Sequence, residues 1–267
     1  MIRDLMEQIN LNEQSTMFYW YPKIKDLPIP QPKTLSYRFT DDEKEFLAND
    51  QYPSSIAEKI RPLADEIGYP LFMRTDNSSC KHFWNKTCYV PSVNELSSHV
   101  MELLSNSAMQ GWMSYNDNGI FVREFIPLVT KFTAFYGKFP VNKERRYFIK
   151  NGMLQCHHPY WYPPAIMQPS TDDFQGLLSY LNYEREAEIK KLTKLSEIVG
   201  KIFDGYWSVD FAYGKDHRWY LFDMARGEQS FHWLECPYCP DEMKEQYTEK
   251  EEKAEVKPLD SKLSEVK

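Results

Sequence analysis

The spacing of apolar positions changes several times along this chain, and each change marks an element. Ile56, Ile60, Leu63, Ala64 and Ile67 recur at three- and four-residue steps, which predicts a helix from Ser54 or Ser55 to Ile67. Pro62 falls inside that run, and Gly68 is placed to end it. Thr40 followed by Asp41, Asp42 and Glu43 opens an earlier helix with a capping residue and acids in its first turn. Ser92 and Glu95 form a capping box for a helix reaching about Met109. Thr171-Asp172-Asp173 caps a long helical pattern, from Phe174 through Leu181, Leu192 and Val199 to about Phe203.

Between these lie β-type runs. Tyr69–Asp76, Gly119–Pro127, Lys131–Phe139 and Glu144–Lys150 each predict a strand, with Asn151-Gly152 as a turn after the last. Met17–Tyr21 is strongly apolar and precedes Pro22, Pro28, Pro30 and Pro32; a strand or anchor leading into an extended connector is expected. His157–Pro164 reads as an aromatic loop, packed or acting as a lid over a substrate. The mixture of helices and strands gives an α+β class.

Two aromatic and β-branched runs stand out, Gly205–Ala212 and Trp219–Ala225, separated by polar residues including Gly214. They predict a β-hairpin. Alternation puts Trp207, Val209 and Phe211 on one face of the first strand and Ser208, Asp210 and Ala212 on the other. In the second strand it groups Trp219, Leu221 and Asp223. Each strand thus carries one acid amid apolar residues, where a bare carboxylate is costly. Two readings stand: a magnesium-type site of hard oxygen ligands, or two acids at strand ends that face water.

Composition narrows the classes. At 267 residues and 15% aromatic content, the chain can bury a sizeable core. A net charge of −7 argues against general nucleic-acid binding. No apolar run approaches the length of a membrane span, so no membrane partner is expected. Five cysteines without a regular framework, and a start with no leader-like segment, suggest a reducing cytoplasm. Cys236-Pro237-Tyr238-Cys239 lacks the second ligand pair of a zinc site and the helix start of a redox motif. From Asp241 onward, Glu and Lys dominate, and a disordered tail is expected.

Candidate chemistry begins at Arg74. A cation at a strand end, followed by Asn77-Ser78-Ser79-Cys80-Lys81, suits a polyphosphate, because hydroxyls and main-chain N–H groups donate while Arg and Lys neutralise charge. An ordinary polar turn fits the same residues, and the stretch lacks the Gly-rich pattern of a Walker loop. Glu144 and Arg146 share a strand face, either as a structural ion pair or turned to a ligand.

The order of these pieces resembles the ATP-grasp superfamily. Met73–His82 together with Ser208-Val209-Asp210-Phe211 and Leu221-Phe222-Asp223 is similar to a divergent clade, which includes the eukaryotic cell-division-cycle protein that helps assemble translation initiation factor two. The resemblance covers about Tyr69 to Trp233 and implies an ATP-grasp fold with two α+β lobes clamping ATP. On that basis residues 1–67 form an N-terminal segment with helices, 68–138 the first lobe, 139–240 the second lobe with the metal-binding hairpin, and 241–267 the charged tail.

The resemblance also implies roles. Arg74, Ser78, Ser79 and Lys81 meet the phosphates, and Glu124, Phe125 and Ile126 form the hinge that meets adenine and ribose. Arg146 reaches the phosphates or an acyl-phosphate, and Arg226 lies on the acceptor side. Asp210 and Asp223 hold magnesium. The family's second acid is usually followed two residues on by Asn, a third ligand; here that position is Ala225, and Glu228 or Gln229 is the substitute. The cofactors implied are ATP and Mg2+. The leading reading is a ligase that activates a carboxylate as an acyl-phosphate and joins it to an amine on a peptide, protein or nucleobase. The alternative is an assembly factor for which ATP is a structural ligand. A polynucleotide ligase is disfavoured, because no Lys-x-Asp-Gly motif occurs.

Overall fold

Side-chain alternation on two antiparallel sheets creates the layers of this molecule. The computed structural model describes residues 2–109 and 117–245. The helices are α1 (Ile2–Ser15), α2 (Met17–Ile24), α3 (Asp41–Ala48), α4 (Ser55–Ile67), α5 (Leu96–Met109), α6 (Phe174–Asn182) and α7 (Glu186–Gly200). The first sheet contains β1 (Thr34–Arg38), β2 (Leu71–Thr75), β3 (Tyr89–Val90) and β4 (Gly119–Glu124), in the order β1-β4-β2-β3. A two-stranded ribbon follows, β5 (Thr130–Ala134) and β6 (Phe139–Asn142). The second sheet contains β7 (Glu144–Lys150), β8 (Met153–Pro159), β9 (Tyr206–Tyr213) and β10 (Trp219–Arg226), in the order β10-β9-β7-β8. The result is an α+β architecture with two four-stranded antiparallel sheets and a two-stranded ribbon.

In the first sheet, Leu71, Met73, Ile120 and Val122 pack against Ile56, Ile60 and Ala64 of α4 and Leu96, Val100 and Leu103 of α5. Period-two alternation then sends Phe72, Arg74, Phe121 and Arg123 to the other face. In the second sheet, Tyr147, Ile149, Val209 and Phe211 join Leu192 and Val199 of α7 in a second core. Glu144, Arg146, Phe148, Ser208 and Asp210 take the opposite face, where Arg146 is the direct cross-strand partner of Asp210.

Several expectations change. Met17–Tyr21 is helical, not extended: as part of α2 it buries Met17, Trp20 and Ile24 at helical spacing. A short aromatic run cannot by itself separate strand from helix. The strand expected over Lys131–Phe139 is a hairpin, because Phe135 and Lys138 adopt positive φ and reverse the chain. His157 and His158 belong to strand β8, paired with Tyr147 and Arg146. The helical run beyond Asp173 breaks at Tyr183, where the buried Arg145 guanidinium donates to the carbonyls of Leu181 (3.1 Å) and Tyr183 (2.7 Å). A tertiary contact there replaces the i+4 donors that a continuous helix would need.

The largest change concerns parity in β10. Leu221 lies opposite Phe211, yet Asp223 lies opposite Asp210, so Phe222 is an extra residue forming a bulge. Leu221 therefore stays in the core while Asp223 turns to the face that carries Asp210. Simple alternation groups Leu221 with Asp223, and the bulge separates them.

Residues from Ser230 onward form a second compact unit. There Cys236 N donates to Trp233 O and Cys239 N to Cys236 O, in successive turns. The expected tail lies outside the described residues from position 246 on. None of the five cysteines is in a disulfide. Among the described residues no helix is long and apolar enough to cross a membrane.

Where β2 ends, Asp76 is fully buried and accepts from Asn118 N (2.8 Å) and Asn118 Nδ2 (3.1 Å). Burial, reinforced by the Asp117 carboxylate, pushes Asp76 up from 3.8 to about 6. A raised carboxyl means that the folded chain holds a proton that the unfolded chain has released. The unfavourable contribution is absent below about pH 4 and complete above about pH 6. Asp76→Asn should therefore raise the melting temperature relative to wild type more at pH 7.5 than at pH 4.5, by a free energy on the order of 2–3 kcal/mol. Thermal melts at the two pH values check this.

Candidate functional site

The inward faces of the two sheets meet at a cleft. Its lining includes Arg74 and Phe72 of β2, Arg123 and Glu124 of β4, Glu144 of β7, Asp210 of β9, and Phe222 and Asp223 of β10. Phe125, Ile126 and Leu128 extend it from the end of β4, and Ser79, Lys81 and Trp84 from the loop after β2.

Charge dominates its centre. Arg146 grips Asp210 with two bonds, Nε to Oδ1 at 2.8 Å and Nη2 to Oδ2 at 2.7 Å. Burial works against the Arg146 cation, but Asp210 outweighs it and holds the guanidinium well above its ordinary range. Arg74 Nη1 reaches Asp223 Oδ1 at 2.7 Å. Asp210 and Asp223 are thus neighbours across β9 and β10, each matched by an arginine, so opposite charges offset the repulsion between the two acids.

Lys81 reaches the second sheet from the loop after β2. Its Nζ donates to Tyr160 Oη at 2.8 Å and sits 4.2 Å from the Tyr160 ring centroid and 4.7 Å from that of Trp161. Burial acts to lower Lys81, yet Tyr160 and Glu144 raise it overall. Glu144 is raised by burial, against the opposing pull of Lys81. The loop is clamped from outside by the β5–β6 ribbon. His82 stacks on Phe135 at 4.2 Å, Trp84 meets Phe139 edge-on at 5.2 Å, and Gly137 N donates to His82 O at 2.7 Å. A Cβ at Gly137 would collide with the main chain of Phe83 and Trp84.

Most residues singled out from the sequence converge here. Arg74, Ser79, Lys81, Glu124, Phe125, Ile126, Asp210 and Asp223 line the cleft, and Arg146 is bound to Asp210. Ser78 closes the turn after β2, accepting from Cys80 N at 3.2 Å, and lines an adjoining polar cavity of about 430 Å³. That cavity shares Arg74 and Asp223 with the cleft and also includes Ser107, Ala225 and Gln229. Arg226 and Glu228 lie elsewhere: they pair with each other at 2.9 Å, and the Arg226 guanidinium sits 5.1 Å from the Trp207 ring centroid, on the other face of the sheet. Gln229, not Glu228, shares the lining of that polar cavity with Asp223, and it is held by Ser15 and Asn12.

The sequence reading missed Arg123, Phe72, Trp84 and Tyr160 as cleft residues. Alternation against Val122 and Met73 was a usable signal for Arg123 and Phe72. Tyr160 enters because β8 pairs with β7 as far as Pro159, whereas His157–Pro164 reads as a loop from the sequence.

Removing one half of a buried pair strands the other charge. Asp210 and Arg146 are 9% and 13% exposed, so Arg146→Met should cost about 3–5 kcal/mol in denaturant unfolding. Adding Asp210→Asn to that variant should restore a substantial part of the loss, and a double-mutant cycle measures it.

No protein-family model matches the chain. No curated protein matches it by sequence either. Solved structures do. Cdc123 from Schizosaccharomyces pombe, in a C-terminally truncated form, superposes with a TM-score of 0.54 at 15% identity, covering 87% of this chain and 93% of that one. A second Cdc123 structure from the same organism gives 0.52 at 15% identity, with the same coverage. D-alanine–D-alanine ligase from Bacillus anthracis, complexed with ATP, gives 0.45 at 14% identity, covering 81% of this chain and 55% of that one. The chain has an ATP-grasp-like fold, shared with Cdc123 over most of both lengths.

Proposed function

We propose that this protein binds ATP with magnesium in the cleft between its two sheets and acts as an assembly factor for which the nucleotide is a structural ligand. The observation that carries the reading is the convergence of Arg74, Lys81 and Arg146 around Asp210 and Asp223, with an aromatic wall at one end. Cations suit the phosphates, and two facing carboxylates supply hard oxygen ligands for magnesium. Phe72, Trp84 and Phe125 give the base an apolar slot beside the Glu124–Ile126 segment.

In this reading Asp210 and Asp223 would hold the ion, which would leave their arginine partners available to phosphate oxygens. The ion would supply charge neutralisation to the phosphates. Ala225 is the reason to place structural binding ahead of turnover. It lies opposite Ser208 with no side-chain oxygen to complete an octahedral shell, and Glu228 is engaged by Arg226. The shared fold with Cdc123, across 93% of that truncated chain, supports the same choice by resemblance.

A second reading, a ligase joining a carboxylate to an amine through an acyl-phosphate, is favoured by one observation. The polar cavity meets the cleft at Arg74 and Asp223, where an acceptor would approach the γ-phosphate.

Calorimetry separates these. ATP should bind, and magnesium should tighten it; Asp210→Asn should remove most of that gain. An absence of ATP binding in magnesium sinks both readings. Binding without ADP or AMP formation across carboxylate and amine acceptors supports the assembly factor. Product formation by wild type that disappears in Asp223→Asn supports the ligase.

A further inference from the structure

We infer that Arg123 is a positioning residue, which holds the bulge at Phe222 and so keeps Asp223 on the same face as Asp210. In a bulge the extra residue drops out of the ladder, and its backbone polar groups need other partners. Here the Phe222 carbonyl accepts from Arg123 Nη1 at 2.8 Å. Arg123 belongs to β4 of the first sheet, so the bulge in the second sheet is held by a side chain from the first.

The rest of the Arg123 environment argues that this bond is its purpose. The residue is 3% exposed, and among the described residues no carboxylate is hydrogen-bonded to it. Nε donates to Thr34 Oγ1 at 3.3 Å, across the β1–β4 pair, and the guanidinium lies 5.6 Å from the Phe222 ring centroid. Burial depresses Arg123 to about 10, and the nearby Arg74 cation adds to this, against a weaker pull from Asp223. A guanidinium in that setting is an expensive way to fill space. Its fork instead satisfies a carbonyl that strand pairing has abandoned.

The consequence is one of parity. Without the extra residue, Phe222 would face Asp210 and Asp223 would turn into the core beside Trp219 and Leu221. Asp223 could then meet neither Arg74 nor a shared cation. Arg123 therefore stands behind the acid pair as an outer support, acting through the backbone.

For its effect on magnesium this inference rests on the proposed nucleotide reading; for the bulge it stands alone. Two measurements on Arg123→Met, with folding checked by circular dichroism, separate these. Hydrogen exchange over residues 220–226 should be faster in the variant than in wild type, while the β7–β8 pairing is unchanged. Equal exchange overturns the inference, whether or not the protein binds nucleotide. Calorimetry with ATP in magnesium and in EDTA should show the magnesium-dependent gain, the ratio of the two affinities, reduced by about 10- to 100-fold. A preserved gain, which includes an equal loss in both conditions, also overturns it, since Arg123 then acts on the nucleotide alone. If wild type binds no ATP at all, the nucleotide reading fails and the exchange result decides the role of Arg123. If Arg123→Met does not fold, Arg123→Lys, which keeps the charge but loses the fork, is measured in its place.

Discussion

The pairing of two acids, Asp210 buried and Asp223 part-exposed, with two buried or nearly buried arginines on sheets that face each other is the constraint from which most of this structure follows. Asp210 and Asp223 are cross-strand neighbours, a placement that would be repulsive without compensation. Arg146 answers one from the adjacent strand of the same sheet, and Arg74 answers the other from the opposing sheet. The second of these is an electrostatic bond between layers. It depends on Asp223 facing the cleft, hence on the bulge, hence on a carbonyl that finds its donor across the gap. A short chain of local requirements thus connects the two sheets.

That arrangement also explains how a cleft with many charged groups persists in a chain of ordinary composition. Arg74, Lys81 and Arg146 are balanced near at hand by Asp223, Glu144 and Asp210. A polyanion with its cation can exchange into such a site without creating an unpaired charge: the cation takes the carboxylates, and the phosphates take the arginines. The aromatic clamp on the loop after β2 serves a different end. Tyr160, Trp161 and Phe139 surround Lys81, which fixes one cation in advance and lowers the entropy lost when a ligand engages it.

The cleft and the adjoining polar cavity share Arg74 and Asp223 in their linings, and these two residues form an ion pair at 2.7 Å. Ala225 and Gln229 line the same cavity on the hairpin side, and α1 residues Ser15 and Asn12 hold Gln229 there.

Much of the site was legible in the residues themselves. Arg74, Asp210 and Asp223 stood out because a charged side chain in a β-type run costs free energy and needs a reason, and Lys81 because it adds a second cation to the polar stretch after Arg74. The helices at Asp41–Ala48 and Ser55–Ile67 were legible because caps, glycine and helical spacing agree there. What the tertiary structure alone decided were matters of parity and partnership. The bulge at Phe222 has no glycine or proline to signal it, since its stability comes from Arg123 about a hundred residues earlier in the chain. The break after α6 likewise depends on Arg145, whose guanidinium captures carbonyls from a distant strand. Sequence pattern reports preferences over a few residues, so it found the ingredients of the cleft; which face each acid takes is set by contacts between sheets, and only the folded chain contains those.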